Sequence, residues 1–514
     1  MSSPATVHTS PATGLVTGTG AVGTGMSADG QPDARPVGSA PIPLLIDLDH
    51  TLIRTDLLME TALAYVAANP LRILNLPAWL LGGRANLKRK LAEAVDLDAE
   101  LIPVNDEVVE LAMQAKREGR QVFLVTASDE LLARKMAARF PMLDGVISSD
   151  GTTNLKGSHK ADVVAERFPE GYDYAGDSAA DLHVWRNARN VIAVAPGAST
   201  LRKIRTLAKP TTVIEGKSRQ RALVKAARLH QWAKNILIFV PAVLSGTIFD
   251  PDTIVNCVLA FLALGFVALG TYLLNDLLDI EHDRRHWSKR FRPIAAGDLP
   301  IGMAIVASAV SIVGGIAIAA LVGTGVLAGI LAYLFLTLAY SMHVKRLAIL
   351  DVVVLAVLFT LRLAIGIAAA DVFASPWLLV FSMGLFTSLS IAKRYTEIER
   401  TAQKGETVVP GRGYITADAP LVLGLGLATG TASVLILVLF LIFDAFQRDI
   451  YVNPHWLWLF PIIIFLWIGR VWLISQRGEL NDDPVVFALK DRQSLVLGAL
   501  MAAAFVLAWL GAPL

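Results

Sequence analysis

Hydrophobic and polar positions follow two rhythms along this chain, and the change falls near residue 235. Before it, short apolar runs at 44–46, 122–125 and 172–175 alternate with helical patterns such as KADVVAERF at 160–168. That alternation predicts an α/β domain with a parallel sheet, whose site lies at the carboxyl ends of the strands. After it, apolar runs of spanning length recur at 236–249, 254–274, 301–321, 326–342, 349–370, 376–392, 420–443, 456–474 and 494–512. The first run is short, so an all-α bundle of about nine transmembrane helices is expected. Loop charges agree with that count. Alternate loops carry the basic residues of 284–292, Lys345 and Arg346, and those of 393–412 and 470–492. The opposite loops carry Asp250, Asp252, Asp371, Asp444, Arg448 and Asp449, and almost nothing near 323–325. Positive charge therefore sits on one side throughout. This predicts a multi-pass protein of the plasma (inner) membrane, with its N-terminal domain in the cytoplasm and its C-terminus outside.

Composition sharpens this division. The chain has 514 residues, of which 54% are hydrophobic and only 18% charged, too apolar for a soluble protein throughout. A net charge of +2 gives no ground for a nucleic-acid partner, because the basic residues cluster in short inter-helix loops. One cysteine, Cys257, excludes an intrachain disulfide and a thiolate metal cluster. Residues 1–40, rich in Ala, Gly, Thr, Ser and Pro, read as a disordered leader, with Met26 as an alternative start. Residues 211–235 form a basic connector with Lys217, Arg219, Arg221, Lys225, Arg228 and Lys234, suited to lie beside anionic lipid heads.

Candidate chemistry in the first half begins at Asp47-Leu48-Asp49-His50-Thr51, where an apolar strand ends in two acids. One acid can attack phosphorus while the other shuttles a proton. Thr126 ends a second strand with a hydroxyl able to hold a phosphoryl oxygen, and Lys160 opens a helical pattern with a charge that neutralises phosphate. Asp177 and Asp181 follow a third strand with carboxylates suited to Mg²⁺. With these four motifs in this order, residues 41–210 resemble a haloacid-dehalogenase-superfamily phosphatase. The resemblance implies Asp47 as the phospho-accepting nucleophile and Asp49 as general acid/base. It further implies Thr126 and Lys160 as phosphate ligands, and Asp47, Asp177 and Asp181 as Mg²⁺ ligands; Lys156 is a weaker candidate than Lys160. A helical insert at about 55–120 is the expected cap. Its stretch 70–81 (PLRILNLPAWLL) is too short to span a bilayer. It reads either as a strip at the membrane surface with Trp79 at the interface, or as an ordinary buried cap helix.

In the second half the charged stretch 275–293 follows directly on an apolar run. If the helix continues, Asn275, Asp276, Asp279 and Asp283 fall within about a 100° arc, a column about 12 Å long. Arg290 and Arg292 follow. Carboxylates on one face with cations beside them suit a divalent metal that holds a phosphate or diphosphate. Further clusters are expected to converge on the same cavity: Tyr340 and Lys345 with Asp351, then Lys393, Arg394 and Glu397, then Asp482 and Asp483 through Asp491. Arg362 lies well inside an apolar run, where facing lipid costs several kcal/mol, so it should face the interior and meet an anion or a buried acid such as Asp351. His282 and His286 are four apart without an obvious third zinc ligand, and read as interfacial.

NDxxDxxxD at the end of the second of nine helices resembles the UbiA superfamily of intramembrane prenyltransferases, over about residues 225–514. The second motif departs from the aromatic prenyltransferases: YSMHVKRLAILD offers Tyr340, Lys345 and a single acid. With RFRPIAAG and AKRYTE, the stretch looks more like the decaprenyl-phosphate phosphoribosyltransferase branch. That branch implies a polyprenyl lipid phosphate as acceptor, phosphoribosyl diphosphate as donor, and Mg²⁺ held by Asn275, Asp276, Asp279 and Asp283. Lys234, Arg290, Arg292, Lys345, Arg362, Lys393 and Arg394 are then the candidate phosphate-binding cations. Two readings compete: an aromatic prenyltransferase using a polyprenyl diphosphate, and a multi-span lipid transporter with a regulatory domain.

Overall fold

The computed structural model describes residues 41–511 apart from 151, 449, 481–486 and 489. The expected leader, Met26 and the acids Asp482 and Asp483 lie outside the described residues. Six parallel strands form one sheet: β1 (Leu44–Ile46), β2 (Val122–Asp129), β3 (Gly145–Ser149), β4 (Asp173–Gly176), β5 (Val191–Val194) and β6 (Thr211–Ile214). Their order is β3-β2-β1-β4-β5-β6. Strands covered on both faces read as unbroken apolar runs, which is why LLI and VFLV stand in the centre. The strand order reverses between β1 and β4, and at such a switch point the carboxyl ends of the strands open a crevice.

After β1 the chain makes one wide helical turn, with His50 at φ 56°, and enters the cap. Cap helices α1 (Leu57–Ala68), α2 (Asn75–Leu81) and α3 (Arg84–Ala94) lie over the crevice. Asp56 caps α1 by accepting from the backbone N–H groups of Leu58 and Met59, at 2.8 and 3.1 Å. The insert divides differently from the expected 55–120. Helix α4 (Asp106–Arg117) buries Val108, Ala112 and Ala115 against the β1 and β2 core, as a crossover of the α/β layer. Helices α5 (Glu130–Ala137), α6 (Ser158–Arg167), α7 (Leu182–Trp185), α8 (Ala198–Arg205) and α9 (Arg219–Ala226) complete the N-terminal half.

Among the described residues the second half is helical, apart from one antiparallel bridge between Val408 and Ile415. Eight helical segments are long and apolar enough to cross a membrane among the described residues: Pro251–Leu278, Ile301–Val322, Thr324–Met342, Leu350–Ala370, Pro376–Gln403, Thr416–Gln447, Pro454–Gln476 and Arg492–Leu510. We label the first five α11, α13, α14, α15 and α16. Before them lies α10 (Val240–Leu244), and between α11 and α13 the short α12 (Ile280–Arg285). The ninth expected segment, at 236–249, is not a regular span. It begins at Leu229 as a 3₁₀ helix to Phe239 and continues into α10. At the rise of a 3₁₀ helix, about 2.0 Å per residue, residues 229–244 reach roughly 30 Å, so this irregular run is as long as a span. Gly366 on α15 lets it pass closely, since a Cβ there would lie 2.1 Å from the Ile238 carbonyl oxygen.

Small residues set the bundle spacing. A Cβ on Gly315 of α13 would meet the Ala263 carbonyl oxygen of α11 at 2.6 Å. Helices α11 and α16 both run past their apolar stretches, carrying Asn275 and Asp276, and Lys393 to Glu397, in helical register. The α/β domain and the bundle pack as one compact unit. Glu60 of α1 meets Arg284 of α12, and Arg54 and Lys217 both pair with Asp298. Gly297, at φ 72°, sits where a Cβ would lie 2.6 Å from the Arg54 Cβ.

Two candidate phosphate-handling sites

Asp47 stands one residue past β1, and Asp177 and Asp181 follow β4, so the sheet itself gathers the three acids. One carboxylate oxygen of each lies within 4.8 Å of the others. Close approach is possible because residue 176 is glycine: a Cβ there would lie 2.8 Å from the Asp181 Cγ. Lys160 Nζ donates to Asp47 Oδ1 and to the Tyr174 hydroxyl, both at 2.8 Å, and lies 3.7 Å from Asp181 Oδ1. Tyr174 in turn donates to Asp181 at 2.9 Å. Asp49 accepts from Leu57 N–H at 2.8 Å and from the Ser128 hydroxyl at 2.7 Å.

Burial pushes the Asp47 carboxyl up to about 7 despite Lys160, and Asp181 and Asp49 push the same way. Burial raises Asp49 to about 6 and Asp177 to about 8. Burial would lower Lys160, but the Asp47 and Asp181 carboxylates hold it above its ordinary value. Crowded carboxylates with one ammonium among them are a donor set that Mg²⁺ fits, being all oxygen and short of positive charge. The cavity above them measures about 400 Å³.

Thr126 is fully buried and accepts from Ser128 N–H at 3.0 Å, so Ser128 is the hydroxyl that lines the cavity at this strand end. The TAS tripeptide is the signal that could have located it. Lys88 of the cap also lines this cavity, donating to the Ala127 carbonyl and, at 3.2 Å, to Asn154. Lys156 lines it too.

The membrane column departs from its expected form. Helix α11 ends at Leu278, Asp279 is its C-cap, and Asp283 belongs to α12. The four residues form two pairs. Asn275 Nδ2 donates to Asp279 at 3.0 Å, and Lys345 Nζ lies 3.7 Å from that carboxylate. Asp276 and Asp283 share Arg292, at 3.0 and 2.6 Å, and Arg228 grips both oxygens of Asp276 at 2.6 Å. Asp283 is buried, which raises it despite Arg292, and its Oδ1 has no hydrogen-bond partner among the described residues. Asp276, Asp279 and Asp283 do not bring three ligand atoms close together among the described residues; as all-oxygen donors they suit Mg²⁺ by chemistry, with Arg228 and Arg292 as the charges it would replace.

Above this lies a cavity of about 300 Å³ among α11, α14, α15 and α16, with Asn275 and Arg228 on its wall. Lys234, Arg362, Lys393, Arg394, Tyr340 and Arg412 line it, and Lys345 does not. Arg362 is buried. It donates to Asn235 Oδ1 at 3.3 Å, the Leu358 carbonyl, and the Tyr333 hydroxyl at 3.2 Å. No carboxylate lies within 4 Å of it among the described residues. Asp351 is instead held by Arg394 at 2.6 Å and by the Tyr414 hydroxyl at 2.7 Å. Arg394 also bonds Glu397 and Tyr340. It is therefore first of all the partner of two acids.

Arg290 does not join this site. It is exposed, with its guanidinium 4.9 Å from the Phe291 ring centroid, because the chain turns outward through the 3₁₀ turn at Lys289–Phe291. Arg292 faces the acids and does not line the cavity wall. Asp491 pairs with Arg470 and caps the last helix. His282 and His286 join no three-ligand cluster among the described residues. Arg228 was legible only as one of several connector cations. Its left-handed backbone, at φ 47°, turns it from the connector toward Asp276.

Comparison with known proteins bears on the membrane half. The model of the UbiA prenyltransferase family matches residues 236–489. Uncharacterized protein y4nM of Sinorhizobium fredii is 40% identical over 470 residues, 91% of each chain. Decaprenyl-phosphate phosphoribosyltransferase of Corynebacterium glutamicum is 34% identical over 237 residues, 44% of this chain and 68% of that one. A UbiA homologue from Archaeoglobus fulgidus, solved with GPP and Mg²⁺ bound, is 15% identical at a TM-score of 0.44, covering 56% of this chain and 99% of its own. Carrying an acid-bearing helix end, a cation-lined interior cavity and this family match together, the chain belongs to the UbiA prenyltransferase family.

Proposed function

We propose that the membrane half transfers ribose 5-phosphate from phosphoribosyl diphosphate to a polyprenyl phosphate, and that the α/β half removes the 5-phosphate from the product. The observation that carries the first part is Arg362, an interior cation with no carboxylate within 4 Å among the described residues, in a cavity it shares with Lys234 and Lys393. An intramembrane cation in such a place calls for an anionic ligand. The donor bears phosphate at both ends of its ribose and the acceptor bears another, which suits cations at one level and acids at the next. Leu355, Leu358 and Phe386 give the same cavity an apolar wall for the isoprenoid.

In the reaction, a phosphate oxygen of the lipid attacks the anomeric carbon, the carbon–oxygen bond to diphosphate breaks, and diphosphate leaves. The lipid phosphate is already anionic, so no strong base is required. Asn275, Asp276, Asp279 and Asp283 would hold Mg²⁺, which supplies neutralising charge to the departing diphosphate. Lys234, Arg362 and Lys393 orient the remaining phosphates. In the α/β half an Asp47 oxygen attacks phosphorus while Asp49, held by Ser128 and the Leu57 N–H, protonates the leaving ribose oxygen. Asp49 then takes a proton from the water that splits the aspartyl phosphate, and Lys160 balances the added charge. Asp47, Asp177 and Asp181 would hold the Mg²⁺ of this site. The basic loops support a cytoplasmic face for both sites.

The single acid at the second motif, Asp351, is occupied by Arg394 and Tyr414, which speaks against a second metal site for a prenyl diphosphate. The test supplies membranes containing the chain with Mg²⁺ and either labelled phosphoribosyl diphosphate plus polyprenyl phosphate, or labelled prenyl diphosphate plus hydroxybenzoate. Lipid-extractable label from the first pair alone is expected. Label from the second pair alone would establish the aromatic reading, and label from neither would leave the transporter.

A further inference from the structure

The cap carries an apolar strip that the α/β domain leaves uncovered. Leu71 is 75% exposed, Leu74 73% and Leu81 91%, with Ile73 and Leu80 also exposed. All five lie within eleven consecutive residues, and none of α2 is buried. Such a strip would be a liability in water. The strip is flanked by Arg72 and Arg84, and residues 70–84 contain no Asp or Glu; further along α3, Lys88 turns into the Asp47 cavity and Arg89 and Lys90 pair with Asp129 and Glu93. An apolar strip rimmed by cations is the pattern of a segment lying in the interface of an anionic leaflet.

Two further observations fix what covers it. Arg72 lines one cleft with Ile280 and Arg284 of α12, which begins two residues after span α11 ends, so the strip starts beside the membrane-proximal end of that span. Arg284 and Glu60 hold the cap in that place through a buried pair. On its other side, Leu80 belongs to the strip and also lines the cavity over Asp47, together with Met59, Arg84 and Leu87. The cavity therefore opens onto the strip.

We propose that residues 71–81 insert into the leaflet that holds the chain's own spans, and that the Asp47 cavity takes phosphate monoesters carried on a lipid. The second clause rests on the phosphatase reading above; the first does not. The experiment uses the full chain in nanodiscs containing anionic lipid. Leu74→Cys and Leu81→Cys are labelled with a polarity-sensitive fluorophore, with exposed Glu110→Cys on α4 as control; native Cys257 is buried and stays. Quenching by brominated lipid at 74 and 81 and not at 110 is expected. Absence of quenching at both, whether the strip meets water or a second copy, overturns insertion.

In parallel, the same chain is given free ribose 5-phosphate or a long-chain alkyl ribose 5-phosphate in vesicles. At least tenfold higher kcat/KM on the lipid-borne ester is expected, and the variant Leu74→Glu/Leu81→Glu should lose that preference while keeping its rate on the free ester. Equal use of both esters by the unmodified chain overturns the substrate class. Hydrolysis of neither ends the phosphatase reading and leaves the fluorescence result to decide insertion alone.

Discussion

Glu60 and Arg284 lie 224 residues apart and meet through two hydrogen bonds of 2.6 and 3.0 Å, both side chains almost wholly buried. Thr55 donates to Glu60 and Arg284 donates to the Ala295 carbonyl, so the pair ties the start of the cap to the loop behind the membrane acids. Removing one partner of such a pair leaves an uncompensated buried charge, at a cost of about 3–5 kcal/mol. Glu60→Gln and Arg284→Met should each lower the melting temperature of the solubilised chain and expose the cap to protease. The double variant should lose less than the sum of the two. Strict additivity would show that the pair does not hold the domains together.

Arg228 grips both oxygens of Asp276, where it would compete with a bound metal, and also lines the cavity proposed for substrate. A hydrogen bond to a charged group contributes about 1.5–3 kcal/mol, so removing this one should ease metal entry noticeably. For Arg228→Gln the Mg²⁺ concentration at half-maximal transfer should fall about tenfold while KM for the phosphoribosyl donor rises. Movement of both constants in the same direction would contradict this dual role.

Periodicity made the spans and the strands legible, because a bilayer and a doubly covered sheet both demand continuous apolar runs. At 236–249 it met an irregular run, where a 3₁₀ helix ending at Phe239 passes into the short α10 in place of one regular helix. Spacing placed Asp47, Lys160, Asp177 and Asp181 together because each lies just past a strand end or opens a helix facing one. The same spacing overreached at the membrane column, since it assumed a helix continuing through Asp279, where α11 stops. Arg228 and Ser128 were hidden for a different reason: one depends on a backbone turn and the other on which of two adjacent hydroxyls faces the cavity. Periodicity carries neither.

The crowded carboxylates of the α/β site predict a pH-dependent need for metal. Asp47 at about 7 and Asp177 at about 8 are raised above their unfolded values by burial. Raised carboxyls contribute stability that is complete below about pH 4 and is lost as pH climbs through the folded values. Without metal, melting of the α/β domain should therefore fall between pH 6 and 8, and Mg²⁺ should restore it, most strongly at pH 8. Asp177→Asn should flatten the metal-free slope and weaken the Mg²⁺ response together. A Mg²⁺ increment independent of pH would contradict the assignment.

If the two halves act in sequence, Asp47→Asn should stop release of inorganic phosphate while leaving transfer intact, so the phosphorylated lipid accumulates. Chromatography of labelled lipid extracts reads this directly. An unchanged product profile would separate the two activities.

Arg362 offers the sharpest test of the membrane site, because among the described residues no acid lies close enough to pair with it. Its three donors reach an amide oxygen, a backbone carbonyl and a phenol, all neutral, while its ring neighbours Tyr333 and Phe359 lie about 5 Å from the guanidinium carbon. Were it a packing residue, Arg362→Gln would be tolerated or would even stabilise, since an unpaired charge is taken out of the bundle. As a ligand to substrate phosphate, it should lose about a hundredfold or more in kcat/KM, in line with the about 2–5 kcal/mol lost when one partner of a buried charge pair is truncated. Arg362→Lys should recover only part, because a point ammonium cannot reproduce the guanidinium fork. Melting that stays at or above the unmodified value together with lost transfer is the expected result. Full activity in the glutamine variant would remove the observation on which the phosphoribosyl reading rests.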